Sequence, residues 1–189
     1  MRIVFIGAPG AGKGTQAERL TRWLKIPHFS TGEILREAVA HGTPVGRTAE
    51  EYLKRGELVP DLVVVDIVGE RLTSEDCRAG CLFDGFPRTV PQAEALDELL
   101  EEAGRPLDLV LELRVREEFL ISRMLERGRA DDVVDAIRQR LSAYELQTKP
   151  LLEYYRGRGL LRSIDGEGSI DEVFQRVRGA VDEVRQQKT

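Results

Sequence analysis

The run Gly7-Ala8-Pro9-Gly10-Ala11-Gly12-Lys13-Gly14-Thr15 constrains this chain more than any other stretch. It follows the apolar residues Ile3 to Ile6, which read as a short buried strand, and leads into Ala17, Leu20 and Leu24 at helical spacing. Strand, glycine-rich loop and helix in that order fit G-x-x-x-x-G-K, a phosphate cradle. The glycines let backbone N–H groups turn inward around an anion, and the helix start adds the positive end of its dipole. Lys13 then reaches the outer phosphates as a compact cation. The residue after the lysine is Gly14, so the hydroxyl arrives only at Thr15. The loop therefore points to a nucleoside triphosphate, and its ending to a subclass of such loops.

The 189 residues suffice for one α/β domain with a full core and a small inserted flap, and not for two ordinary domains. No apolar run approaches a membrane span, and Met1 opens no signal-peptide pattern, so the expected location is cytoplasmic with no membrane partner. A net charge of −5 argues against a nucleic-acid partner, which requires a basic face. A polyanionic ligand must then meet a local cluster of cations. The chain has no asparagine, which excludes N-linked glycosylation and the N-K-x-D motif that reads guanine. Cys77 and Cys81 read as small buried residues around a strand start rather than as a disulfide or half a zinc site.

Four further apolar stretches read as buried strands: Pro27 to Phe29, Cys81 to Phe83, Leu109 to Leu113 and Leu160 to Ile164. Helical patterns lie between them, which predicts a parallel sheet with right-handed crossovers and helices on both faces. Ligands of such sheets bind beyond the carboxyl ends of the strands. Ser30 with Glu33, Thr89 with Gln92, and Ser169 with Glu172 each have capping-box spacing. The helix opened by the last box, with Val173, Phe174, Val177, Val181 and Val184 on one stripe, is expected to be purely structural. Between Thr31 and Arg71 the helical pieces are broken at Gly42, Pro44, Gly56 and Pro60, too much chain for one crossover, so this stretch reads as an inserted helical flap. The charged turn Arg127-Gly128-Arg129-Ala130-Asp131-Asp132 reads as a small lid.

Asp84, at the end of an apolar strand and ahead of Gly85-Phe86-Pro87-Arg88, is placed to hold Mg²⁺ directly or through its water shell. Phosphoryl transfer is catalysed by positioning and by neutralising charge, which makes arginines informative. Arg123 and Arg127 share a helix face, Arg129 lies in the lid turn and Arg140 on the next helix, so cations bracket that turn. Asp131 and Asp132 are expected to pair with them. No general base stands out. A hydroxyl acceptor would need one, whereas a phosphate acceptor is already an anion.

Taken in order, GAPGAGKGT, STGEILR (Ser30 to Arg36), GELVPD (Gly56 to Asp61), DGFPRT (Asp84 to Thr89) with Gln92, and RGRADD closely resemble the adenylate kinases across nearly the whole chain. That family also carries the Gly14-Thr15 ending. The resemblance implies a P-loop three-layer α/β/α fold with a central five-stranded parallel sheet. It divides the chain into a core (1–29, 72–126, 134–189), a helical flap for the monophosphate (30–71) and a short lid (127–133). It implies the reaction MgATP + AMP ⇌ MgADP + ADP. Carried over by motif, Gly10, Ala11, Gly12, Lys13, Gly14, Thr15, Arg123 and Arg127 look like the ATP site. Thr31, Arg36, Glu57, Val59, Gly85, Arg88, Gln92, Arg129 and Arg140 look like the AMP site. Lys13, Arg88, Arg123, Arg127, Arg129 and Arg140 are the implied catalytic cations, and Thr15 and Asp84 the residues that organise Mg²⁺ and its waters. ATP, AMP and ADP are the implied partners, the monomer the implied state, and the short lid implies no structural zinc. The chain departs from the family pattern at Glu33, where aspartate is usual, and at Val133, where a small polar residue is more frequent.

The alternatives on the same residues are a uridylate/cytidylate kinase of this fold and a nucleotide-dependent switch or binding module. The first typically reads its base with asparagines, which this chain lacks. The second needs a residue that orients water and has no use for arginines around a lid.

Overall fold

The computed structural model describes residues 1–187, so the last two residues of the expected 134–189 core segment lie outside it. Five strands form one parallel sheet: β1 (Arg2–Ile6), β2 (His28–Ser30), β3 (Cys81–Asp84), β4 (Leu109–Arg114) and β5 (Leu161–Asp165), in the spatial order β2-β3-β1-β4-β5. All five expected strands form, with ends shifted by a residue or so. β1 pairs with β3 on one side and β4 on the other, Val4 opposite both Phe83 and Val110. The crossovers reverse direction at β1, which opens a crevice at the carboxyl ends of β1, β3 and β4.

Strands buried on both faces are apolar at nearly every position, and alternate residues serve different cores. Val4, Ile6, Phe83 and Val110 pack on one face with Phe86, Leu96, Leu100 and Tyr155. Ile3, Phe5, Leu82, Leu109 and Leu111 pack on the other with Leu20, Val177 and Val181. The second face is covered by α1 (Lys13–Leu24) and the closing helix α9 (Ile170–Gln187). The first is covered by α5 (Val90–Glu102) and α8 (Pro150–Gly157), giving three layers. Cys77 and Cys81 are buried and free.

Between β2 and β3 run α2 (Thr31–Ala40), α3 (Pro44–Arg55) and α4 (Asp61–Leu72), broken where the glycines and prolines fall. Thr43 caps α3 through Gly46 N–H at 3.0 Å, with Pro44 at the first helical position, a start signal the capping-box pattern does not detect. α6 (Glu117–Arg127) and α7 (Val134–Ala143) flank the charged turn, and α7 passes through a π-helical turn, Tyr144–Thr148, into α8. The inserted helices touch this region where Gly56, at φ 72°, ends α3. A Cβ there would stand 2.5 Å from Ala136 O.

Of the three capping boxes, Ser169 and Glu172 form theirs in full, each side chain accepting the other's backbone N–H. At Thr89 the box is shifted: the hydroxyl accepts Gln92 N–H, but Gln92 Oε1 accepts Arg88 N–H instead of Thr89 N–H. Ser30 makes no side-chain cap. It is also the last residue of β2, paired with Asp84, and the strand sets its conformation.

Candidate functional site

A cleft of about 590 Å³ lies over the crevice, within the range of small-molecule sites. α1 begins at its floor. Its N-cap, Gly12, has a left-handed backbone and no side chain to cap the first turn, so the N–H groups there stay available to an anion. Gly10, at φ 84°, lies so close to α6 that a Cβ would stand 2.6 Å from Leu120 O, which excludes any larger residue. Ala11, Gly14 and Thr15 complete this wall. Lys13 Nζ donates to Gly7 O at 2.7 Å and Ala8 O at 3.1 Å, using two of its three hydrogens on the loop itself. Burial at the cleft floor lowers its pKa to about 8, against the attraction of Asp84 and with the help of Arg88, Arg127 and Arg129.

Asp84 ends β3 beside the loop, 3.6 Å from where a Gly14 Cβ would lie. Burial alone would raise its carboxyl, yet His28, Lys13 and Arg88 together hold it below the usual carboxylate range, so it is an anion at neutral pH. His28 Nε2 stands 3.6 Å from Asp84 Oδ2, too long for a hydrogen bond. In sequence His28 was a strand residue without a role. Only the pairing of β2 with β3 brings it beside Asp84.

Arg88 is thrown into the cleft by the turn after Asp84, its Nε donating to Gly85 O at 2.8 Å. Burial lowers its pKa, with Asp84 opposing. Thr31 Oγ1 donates to Asp84 O, and Arg36 folds back over Gly32, its pKa lowered by burial and by Arg129. Glu57 accepts Arg55 Nε at 3.1 Å, and Val59 is buried at the cleft's apolar end. Gln92 is 2% exposed, with Nε2 donating to Asp61 Oδ1 at 2.7 Å.

The turn between α6 and α7 is held by its own ions. Asp132 accepts Arg127 Nε and Nη2, at 3.0 and 2.7 Å, the Arg129 N–H at 3.1 Å and Arg140 at 2.8 Å. Asp131 also pairs with Arg140. The Asp132 carboxylate is 1% exposed. Burial would raise its pKa, and the donors from Arg127, Arg129 and Arg140 bring it below the usual range. Arg123, on α6 where that helix packs against the phosphate loop, also lines the cleft.

Every residue singled out from the sequence as a nucleotide or metal contact lines this one cleft. Others were not foreseen. Gln16, Gly168, Ile170 and Val173 also line the cleft, so the first turn of α9 borders it as well as packing on the sheet. Gln16 Nε2 donates to Ile170 O at 3.1 Å, tying α1 to that turn. Tyr144 and Thr148 reach it through the π-helical turn. Its signal was Pro150, which cannot donate into a regular helical ladder, and Lys149 N–H reaches back five residues to Tyr144 O at 2.8 Å.

The family model of the adenylate kinases matches residues 5–160. The chain is 51% identical to an adenylate kinase of Thermobifida fusca, over 96% of this chain and 98% of the relative. It is 49% identical to one of Methylorubrum populi over the whole of both chains. A third, from Thermodesulfovibrio yellowstonii, is 47% identical over 94% of this chain and 97% of its own.

Proposed function

Because the chain belongs to the adenylate kinase family, and so is a phosphotransferase that moves the terminal phosphoryl group of ATP to AMP, we propose how its cleft divides that work. ATP lies on the loop from Gly10 to Thr15, its phosphates on the first-turn N–H groups and Lys13, with Arg123 and Arg127 above. AMP lies against the inserted helices, held by Thr31, Arg36, Glu57, Val59, Gly85, Arg88 and Gln92, with Arg129 and Arg140 over its phosphate. The observation that carries this reading is electrostatic: Lys13 from the donor loop and Arg88 from the acceptor turn act on the same buried Asp84. Donor and acceptor phosphates thus meet between those two cations.

The acceptor phosphate is an anion and needs no base; the protein's task is to align it and neutralise the transferring charge. Asp132 supports this by holding Arg127 and Arg140 in place before substrate arrives, so less side-chain freedom is lost on binding. Residues 30–71 act as the flap, residues 127–133 as the lid, and the remainder as the core. Closing both excludes water, which would otherwise accept the phosphoryl group.

An ionised, buried Asp84 and the Thr15 hydroxyl are oxygen donors that suit a hard cation. With one carboxylate and one hydroxyl, they fit Mg²⁺ that arrives on the triphosphate and keeps part of its water. Bound Mg²⁺ neutralises phosphate charge. No helix among the described residues is long and apolar enough to cross a membrane. We assign the chain to the cytoplasm as a monomer; its two free thiols fit a reducing compartment.

Phosphorus NMR of MgATP with AMP, CMP or UMP tests the reading. ADP is expected to form rapidly with AMP alone. Absence of ADP from ATP plus AMP would overturn it.

A further inference from the structure

Asp61 opens α4 on the inserted helices, yet its carboxylate reaches the turn after β3. Oδ1 accepts Gln92 Nε2 at 2.7 Å and Oδ2 accepts Thr89 Oγ1 at 3.0 Å. At the other end of the same amide, Gln92 Oε1 accepts the Arg88 backbone N–H at 2.7 Å.

A primary amide has nearly the same shape when turned by 180° about its last bond, but its donor and acceptor exchange places. Here it cannot turn. A carboxylate only accepts and a backbone N–H only donates, so the reversed amide would lose both bonds and set like against like in a buried site. Oε1 keeps one lone pair and Nε2 one hydrogen beyond these bonds. Their polarity toward the cleft is fixed by groups outside Gln92.

That polarity separates two classes of purine. Adenine presents an amino donor beside a ring-nitrogen acceptor, which an amide meets with its oxygen and its N–H. A 6-oxo purine presents a carbonyl acceptor beside a ring N–H donor and requires the reversed amide. We propose that Asp61 is a positioning residue that locks the amide of Gln92 and thereby makes the acceptor site select 6-amino over 6-oxo purine monophosphates. The proposal rests on the reading of Gln92 as the base contact. Asp61 acts only through that side chain.

The test compares kcat/KM for AMP and IMP in the parent enzyme, Asp61→Ala, Asp61→Asn and Gln92→Ala, with melting midpoints alongside. Asp61→Ala is expected to lower the AMP/IMP ratio by about tenfold or more through KM for the monophosphate, with KM for ATP within about twofold. Asp61→Asn keeps the shape but can turn its own amide to meet a reversed Gln92, leaving only the Arg88 N–H to oppose the turn, so the ratio is expected to fall less, by at least about threefold. That variant decides alone if Asp61→Ala does not fold. A lower melting midpoint with an unchanged ratio would mean a structural role and overturn the lock. If Gln92→Ala removes the preference while both Asp61 variants keep it, the lock fails and the base contact stands. If Gln92→Ala keeps the preference, the base contact fails and the lock falls with it.

Discussion

Lys13 is the residue whose proton should be visible in binding. Its pKa is about 8 in the free cleft, lowered by burial, and a triphosphate favours the charged form and raises it. At pH 7 the lysine is charged before and after binding. At pH 9 it is mostly neutral beforehand and must take up a proton. ATP affinity should therefore fall above about pH 8, by up to about tenfold per pH unit. Calorimetry in buffers of different ionisation heat checks this, with proton uptake expected at pH 9 and none at pH 7. The same group affects folding in the opposite sense. Between about 8 and the ordinary lysine value the unfolded chain binds more protons, so this contribution to stability rises with pH. Arg88, buried in the cleft and proposed to lie between the two phosphates, should lose about 10³-fold in turnover as Arg88→Ala, read by coupled assay. A loss below tenfold would remove it from the site.

At the scale of elements, the helix starts separate what local pattern carries from what it does not. Ser169 and Glu172 form the box their spacing implies because nothing else claims them. Ser30 does not, because its backbone belongs to β2. Thr89 and Gln92 cap only in part, since the amide is bonded to Arg88 and to Asp61, thirty-one residues away in sequence. Val133 stands at the N-cap of α7 with no oxygen to offer, so that helix start beside the lid lacks a side-chain cap. Gly56 joins two elements by close approach. Gly56→Ala sets a Cβ against Ala136 O and forces an alanine to φ 72°. It is expected to cost about 1–3 kcal/mol in thermal or urea unfolding. An unchanged midpoint would contradict both the close approach of α3 to α7 and the left-handed backbone at this position.

For the whole molecule, the contact between α3 and α7 links the inserted helices to the helix that follows the lid. Arg36 on the inserted helices and Arg129 in the turn before α7 also repel across the cleft, a charge that bound phosphate would offset. Closing one side should therefore help the other. A non-transferable ATP analogue and AMP together are expected to raise the melting midpoint by more than the sum of their separate shifts. Additive shifts would mean independent closure. The alternation of strands and helices, the phosphate loop, the flap's breaks and the lid's charges are local patterns, legible from spacing and residue type alone. They determined the fold class and the cations of the cleft. Only the tertiary structure decided that His28 stands beside Asp84, that the first turn of α9 walls the cleft, and that Asp61 holds Gln92. Those relations join residues far apart in the chain, and they exist only once strand pairing and helix packing have set the distances between them.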